Sequence, residues 1–147
     1  PPRSTLFPYT TLFRSQLGID EPRVSLIHCT EKVNGKHFPF TVGYGDIIEK
    51  AQSGALGKCI VDGPLDVKTS IDTVTMQTKG IHSSINGQAD ALVFPDIVSG
   101  NVFYKTISIF SGVETAAMLV GTQVPVVLTS RGDTTLTKLY SIALASL

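Results

Sequence analysis

The residues best suited to chemistry stand together in LTSRGDTTLTKL, residues 128–139. An apolar run ends on the hydroxyl of Ser130 and the guanidinium of Arg131. Gly132 then permits tight backbone geometry, and helix-periodic residues begin after Asp133. Free backbone N–H groups and the positive end of a helix favour an anion at such a place. An adjacent arginine can hold phosphate oxygens bidentately. This is the composition of a phosphate site without a Walker-type loop. It is equally the composition of a helix N-cap beside a surface arginine, and locally both readings stand.

Such a turn needs a strand to deliver it and a helix to receive it. From Val24 onward short apolar runs alternate with helix-periodic stretches, the pattern of βαβ units and a mainly parallel sheet. Val24–Cys29 reads as a strand and Asn34-Gly35 as a turn. Asp46–Gly54 reads as a helix with Ile47, Ile48 and Ala51 on one side and Gly54 at its C′ position. A second strand is expected at Cys59–Val61. Pro64 then opens a helix that carries Val67, Ile71 and Val74 on one face and stops at Gly80. Asp90–Asp96 holds a third strand ending at Pro95, followed by a helix over Ser99–Phe110, capped by Ser99, with Phe103, Ile107 and Phe110 aligned. Ala116–Gly121 and Val124–Ser130 read as two further buried strands. The last helix lines up Leu136, Tyr140, Ala143 and Leu147, capped by Asp133 or Thr134.

The chain has 147 residues, 42% of them apolar and 16% charged, with twelve basic residues against twelve acidic ones. That is a globular composition, able to bury a real core. The charge balance gives no footprint for nucleic acid or an anionic membrane surface. Cys29 and Cys59 lie inside apolar runs, too few for a disulfide framework, and read as buried, reduced thiols in a cytoplasmic protein. The opening PPRSTLFPYTTLFRS, residues 1–15, contains no apolar run longer than two residues, so it is neither an export signal nor an anchor. Read back into codons, it matches the end of a common short-read sequencing adapter. These residues are therefore expected to be a non-native tail that packs poorly, with Gln16 the first natural residue of a truncated protein.

In open α/β sheets ligands gather beyond the carboxyl ends of the strands. Those ends here are His28-Cys29, Asp62-Gly63-Pro64, Pro95-Asp96 and Ser130-Arg131-Gly132. Asp62 and Gly63 are candidates for binding, or simply for turn geometry. Asn101, Tyr104 and Lys105 share a helix after the third strand, and fit either a ligand cleft or a solvated face. His28, Cys29 and His37 match no zinc spacing, so no metal is expected. The glycines of Gly43-Tyr44-Gly45 form too short a motif to carry a reading.

Three stretches together, VDGPLDVKTS, ADALVFPDIVSGNVFYKT and VGTQVPVVLTSRGD with KLYSIALA after it, resemble the phosphate acetyl/butyryltransferase family. The likeness runs in order from Leu17 to Leu147, along the family's C-terminal portion. It implies a three-layer α/β/α fold with a mainly parallel sheet, like that of isocitrate and isopropylmalate dehydrogenases, with a second domain inserted into the first and the active site in the cleft between. On that plan residues 16–115 are most of the inserted domain and 116–147 the return into the first domain, the rest of which is missing. The implied activity moves a short acyl group, butyryl or acetyl, between coenzyme A and inorganic phosphate. Acyl-CoA and phosphate are then substrates, no cofactor is permanently bound, and a homodimer or higher homo-oligomer is implied for the full-length enzyme, with no nucleic acid or membrane partner. This stretch alone is expected to be inactive.

By the same resemblance Ser130 donates a hydrogen bond near the thiol or the developing oxyanion, and Arg131 binds phosphate. Gly132, Asp62, Gly63, Asn101, Tyr104 and Lys105 complete the candidate phosphate and coenzyme A contacts. The acetyl-transferring branch carries an aspartate seven residues after the serine, where this chain has Thr137. The butyryl branch places its aspartate just after the Ser-Arg-small triplet, as Asp133 stands here. Asp133 is therefore read as a base for the thiol, or else as a helix cap. A second reading is a non-catalytic domain that senses acyl-CoA, as in the C-terminal region of some malic enzymes. A metal-dependent decarboxylating dehydrogenase of the same fold needs a cluster of acidic metal ligands, which the sequence lacks.

Overall fold

The computed structural model describes residues 17–147. The expectation for residues 1–15 lies outside the described residues. The chain divides into two compact units that meet in sequence between Gly100 and Asn101.

The first unit is built on a three-stranded parallel sheet in the order β2-β1-β3, with β1 at Arg23–Ile27, β2 at Ile60–Leu65 and β3 at Ala91–Val93. Val24 of the central strand faces Val61 on one side and Ala91 on the other. A one-turn 3-10 segment, Pro39–Thr41, leads into helix α1, Val42–Gln52. Ile47, Ile48 and Ala51 share a side of α1, as the spacing predicts, and with buried Tyr44 they pack against Leu26 and Val61. Gly54 follows the Ser53 C-cap at φ +76°, the left-handed position the sequence assigned to it. Because strand side chains alternate faces, Ser25 points away from that cluster. Its hydroxyl meets that of Ser70 at 2.7 Å in a fully buried contact, so a second helical layer lies on the opposite face.

The stretch after β2 departs from the sequence expectation. Pro64 does not open a helix but lies inside β2, which runs on to Leu65. The register slips between Ser25 and Ile27, leaving an extra residue in β2, and a proline at such a bulge forfeits no ladder bond. Gly63 sits in that bulge at φ +151°, and a Cβ there would lie 2.6 Å from the Leu26 carbonyl oxygen. The expected single helix is two, α2 at Val67–Ile71 and α3 at Thr73–Thr78. Asp72 breaks it in an extended conformation, and its carboxylate accepts the Val74 N–H to start the next helix. Asp66 caps α2 in the same way through Thr69.

Helix α4, Ile97–Phe110, begins two residues earlier than expected. Its cap is Asp96, whose Oδ1 accepts the Ser99 N–H at 2.7 Å, and not Ser99 itself. In the second unit the two further strands expected between Ala116 and Ser130 are absent, apart from one antiparallel bridge between Leu119 and Val126. Val124 and Leu128 are 65% and 78% exposed. A strand buried on both faces needs neighbours on both edges, and among the described residues these runs have only that one bridge to each other. Helix α5, Thr135–Ala145, follows. It buries Thr137 and Ser141, while Leu136, Tyr140 and Leu147 of the expected core face are exposed. The Ser141 hydroxyl accepts the Ala117 N–H at 2.9 Å and donates to the Thr137 carbonyl, tying the irregular segment to the helix. No helix among the described residues is long and apolar enough to cross a membrane.

Candidate functional site

The structure brings Ser130, Gly132 and Asp133 together in one closed turn ahead of α5. The Ser130 N–H donates to Asp133 Oδ2 at 2.7 Å, and the Asp133 N–H returns a bond to the Ser130 carbonyl at 3.1 Å. The Gly132 N–H points to Ser130 Oγ at 3.4 Å, so that oxygen is an acceptor within the turn and its own proton is left to donate outward. The N-cap of α5 is Thr134, whose Oγ1 accepts the Thr137 N–H, and not Asp133. Asp133 Oδ2 is engaged by the turn itself. Thr137, at the position where the acetyl branch carries its aspartate, is 8% exposed and joined to Thr134 through their hydroxyls at 3.1 Å. The side chain of Arg131 is exposed and has no partner among the described residues. A free guanidinium, a free hydroxyl proton and a helix N-terminus therefore share one short turn, the set an oxyanion or phosphate requires.

Of the α4 candidates, the Tyr104 hydroxyl lies 3.3 Å from Thr115 Oγ1, and the Lys105 ammonium lies 5.1 Å from the Tyr104 ring centre, in cation-π range. Asn101 is exposed on the same helix.

Asp62 and Gly63 stand in the first unit. Asp62 Oδ1 accepts the Gly63 N–H at 2.8 Å. Its Oδ2 accepts from Ser83 Oγ at 2.7 Å, the Ser84 N–H at 2.8 Å and Ser84 Oγ at 3.1 Å. The carboxylate thus pins the loop before β3 to the middle of β2. Sequence reasoning missed that loop: His82-Ser83-Ser84 matches no motif, and only its polar composition after Gly80 signals it. It also missed Lys79, which bridges Glu31 at 2.6 Å and Asp66. Burial alone would raise the Asp66 carboxyl. The hydrogen bonds from Lys79 and Thr69 outweigh it and hold the group well below the usual carboxylate range.

At the end of β1 the Tyr44 hydroxyl donates to the Ile27 carbonyl at 2.9 Å, and burial, with the charge of Asp96, pushes its pKa up. His28 stands edge-on to Phe38 at 4.9 Å, with its Nδ1 3.5 Å from Cys29 Sγ, and His37 engages Asn34 through its backbone. Cys29, just past the end of β1, is exposed and Cys59 half-buried, so neither is the buried thiol its apolar run suggests.

The parallel βαβ order of the first unit and the Ser-Arg-Gly-Asp turn of the second define an α/β protein with an anion-suited helix end. Residues 10–146 match the family described as Phosphate acetyl/butaryl transferase. The chain is 38% identical to a phosphate acetyltransferase of Thermotoga maritima over 88% of its own length and 44% of that protein. It is 38% identical to a phosphate butyryltransferase of Clostridium acetobutylicum over 89% of its own length and 43% of that protein. The crystal structure of a branched-chain phosphotransacylase from Enterococcus faecalis superposes with a TM-score of 0.82 at 31% identity, covering 93% of this chain and 50% of that one. The chain belongs to the phosphate acetyl/butyryltransferase family and spans less than half the length of these two curated relatives.

Proposed function

We propose that the complete gene product transfers a short acyl group between coenzyme A and inorganic phosphate. The observation that carries this is Arg131, exposed and without a partner among the described residues, beside the outward-donating Ser130 ahead of α5, in a chain of this family. In the forward direction a phosphate oxygen attacks the thioester carbonyl carbon, the carbon–sulfur bond breaks, and the thiolate leaves and takes up a proton. Charge develops on the carbonyl oxygen on the way. A preorganised donor aimed at it contributes on the order of 3–4 kcal/mol, which is the role assigned to Ser130. Arg131 holds phosphate through its guanidinium fork. Asp133 takes the thiol proton in the reverse direction, through the carboxylate oxygen that does not close the turn. Gly132 lets the backbone approach the phosphate, and Asn101, Tyr104 and Lys105 contact coenzyme A. Acyl-CoA and phosphate enter as substrates, with no permanently bound group.

The dehydrogenase-like two-domain plan, with the return into the first domain from residue 116, belongs to this reading, as do a homodimer and a cytoplasmic location. Its support is the shared sequence pattern and the parallel sheet. The test is to express the complete gene and incubate the product with acetyl-, butyryl- and branched-chain acyl-CoA in the presence of phosphate, trapping acyl phosphate as its hydroxamate. Phosphate-dependent acyl phosphate is expected from at least one of them. Its absence with all of them overturns the proposal.

A further inference from the structure

We infer that Ser141 is a positioning residue for the turn that carries Ser130 and Arg131, a reading that rests on the acyl transfer proposed above. That turn leads into α5, yet apolar packing does not fix the helix among the described residues. Leu139 and Ile142 are each 58% exposed, and what α5 buries is Thr137 and Ser141. Ser141 is fully buried, and its hydroxyl both accepts and donates. The Oγ accepts the Ala117 N–H at 2.9 Å, from a residue 24 positions earlier in the chain, and donates to the Thr137 carbonyl at 2.7 Å. Beside it the Tyr140 hydroxyl donates to the Glu114 carboxylate. Glu114 and Ala117 lie before the turn, Tyr140 and Ser141 after it. These bonds therefore clasp the incoming segment to the outgoing helix.

The helix itself gains nothing from a serine here. Alanine is the better helix former, and a hydroxyl that bonds the carbonyl four residues back slightly weakens a helix. What the hydroxyl supplies is an acceptor for the Ala117 N–H, a part-buried donor with no other acceptor among the described residues. From Ser141 the anchoring runs back to the turn along one face of α5, because residues three and four apart lie one above the other. Thr137 stands one turn nearer the start, and its N–H and Oγ1 both engage Oγ1 of Thr134, the cap. Thr134 follows Asp133 directly, and the Asp133 carboxylate holds the Ser130 N–H at 2.7 Å. Ser141, fully buried, acts through this chain of bonds and not on substrate. A donor stabilises developing charge only when it is already aimed at it. A misplacement of about 1 Å caused by a change away from the chemistry can cost on the order of 100-fold in rate.

The test compares the complete gene product with its Ser141→Ala variant. In turnover the variant is expected to lose at least tenfold in kcat and to raise KM for phosphate at least threefold, with KM for acyl-CoA changed less than twofold. Hydrogen exchange read at single amides is expected to quicken at least tenfold at Ser130 as well as at Ala117. A serine that only stabilises the fold lowers the thermal midpoint and speeds exchange at Ala117, but leaves kcat and the Ser130 amide alone. An unchanged kcat or an unmoved Ser130 amide therefore overturns the assignment, and so does a KM for acyl-CoA raised as far as that for phosphate, the mark of general loosening. If Ser141→Ala does not fold, Tyr140→Phe opens the clasp from its exposed side. It is expected to lower kcat at least threefold and to quicken Ser130 exchange, and no change in either overturns the assignment as well. The exchange measurement needs no turnover. A product that forms no acyl phosphate but shows the Ser130 response sinks the acyl-transfer reading and not the link from Ser141 to the turn, whereas acyl phosphate formed at an unchanged kcat by folded Ser141→Ala sinks the positioning role alone.

Discussion

Ser130 and Asp133 are joined in both directions, the Ser130 N–H to Asp133 Oδ2 at 2.7 Å and the Asp133 N–H to the Ser130 carbonyl at 3.1 Å. The aspartate therefore shapes the turn that presents the serine, whatever proton it also carries. Asp133→Asn keeps an acceptor oxygen for the Ser130 N–H and removes the basic carboxylate. If Asp133 is the base, kcat for forming acyl-CoA from acyl phosphate falls about 100-fold in the complete gene product. A loss below threefold in steady-state kinetics leaves Asp133 with the turn alone.

Arg131 offers an exposed guanidinium in that turn, without a partner among the described residues. Arg131→Ala is expected to raise KM for phosphate and to lower kcat/KM for phosphate at least tenfold, about 1.4 kcal/mol of transition-state binding. Because the side chain holds nothing else in place among the described residues, the thermal midpoint is expected to stay where it was. Unchanged phosphate kinetics in a folded variant remove Arg131 from the site.

Gly63→Ala is expected to destabilise the protein by about 2 kcal/mol or more, because the added methyl meets the Leu26 carbonyl at 2.6 Å and the Leu26 Cβ at 2.7 Å, with backbone on one side of the clash. The φ of +151° adds to the penalty. Urea unfolding checks this, and an unchanged midpoint contradicts the close approach of β1 and β2.

The Lys79 bridge makes stability depend on pH. The Asp66 carboxyl titrates lower in the folded chain than its unfolded value of about 3.9. Its contribution is therefore complete above that value and lost as pH falls through the folded pKa. Lys79 is shifted the other way, upward, by its hydrogen bonds to Asp66 and Glu31. Its contribution is present below about 10.4 and lost as pH rises through the folded pKa. Thermal unfolding from pH 2 to pH 6 is expected to show a shallower acid slope in Asp66→Asn than in the parent. Equal slopes contradict the bridge.

What could be read from the sequence was what short-range chemistry settles. The face of α1 followed from the spacing of Ile47, Ile48 and Ala51, and its stop from Gly54, because both depend on residues within a turn or two. The three parallel strands followed from apolar runs separated by helical periods. The Ser130–Asp133 turn was found from residue type and order, and the family from several stretches in sequence. Pro64 misled because its place in β2 depends on a bulge opposite Ser25 and Ile27, a partner 37 or more residues away in the chain. The apolar runs after Ala116 misled because a strand exists only with neighbours to pair it, and pairing cannot be seen in one segment.

By itself, then, the sequence determined the alternation of the three strands with helices, the face and the stop of α1, and the turn that holds Ser130 and Asp133. Only the tertiary structure decided that Asp62 spends its carboxylate on Ser83 and Ser84, that Lys79 reaches both Glu31 and Asp66, and that α5 buries Thr137 and Ser141 in place of its apolar face. Each of the first two joins residues distant in the chain, and the third depends on what packs against the helix. No periodicity encodes such partners; they exist once the strands and helices have packed.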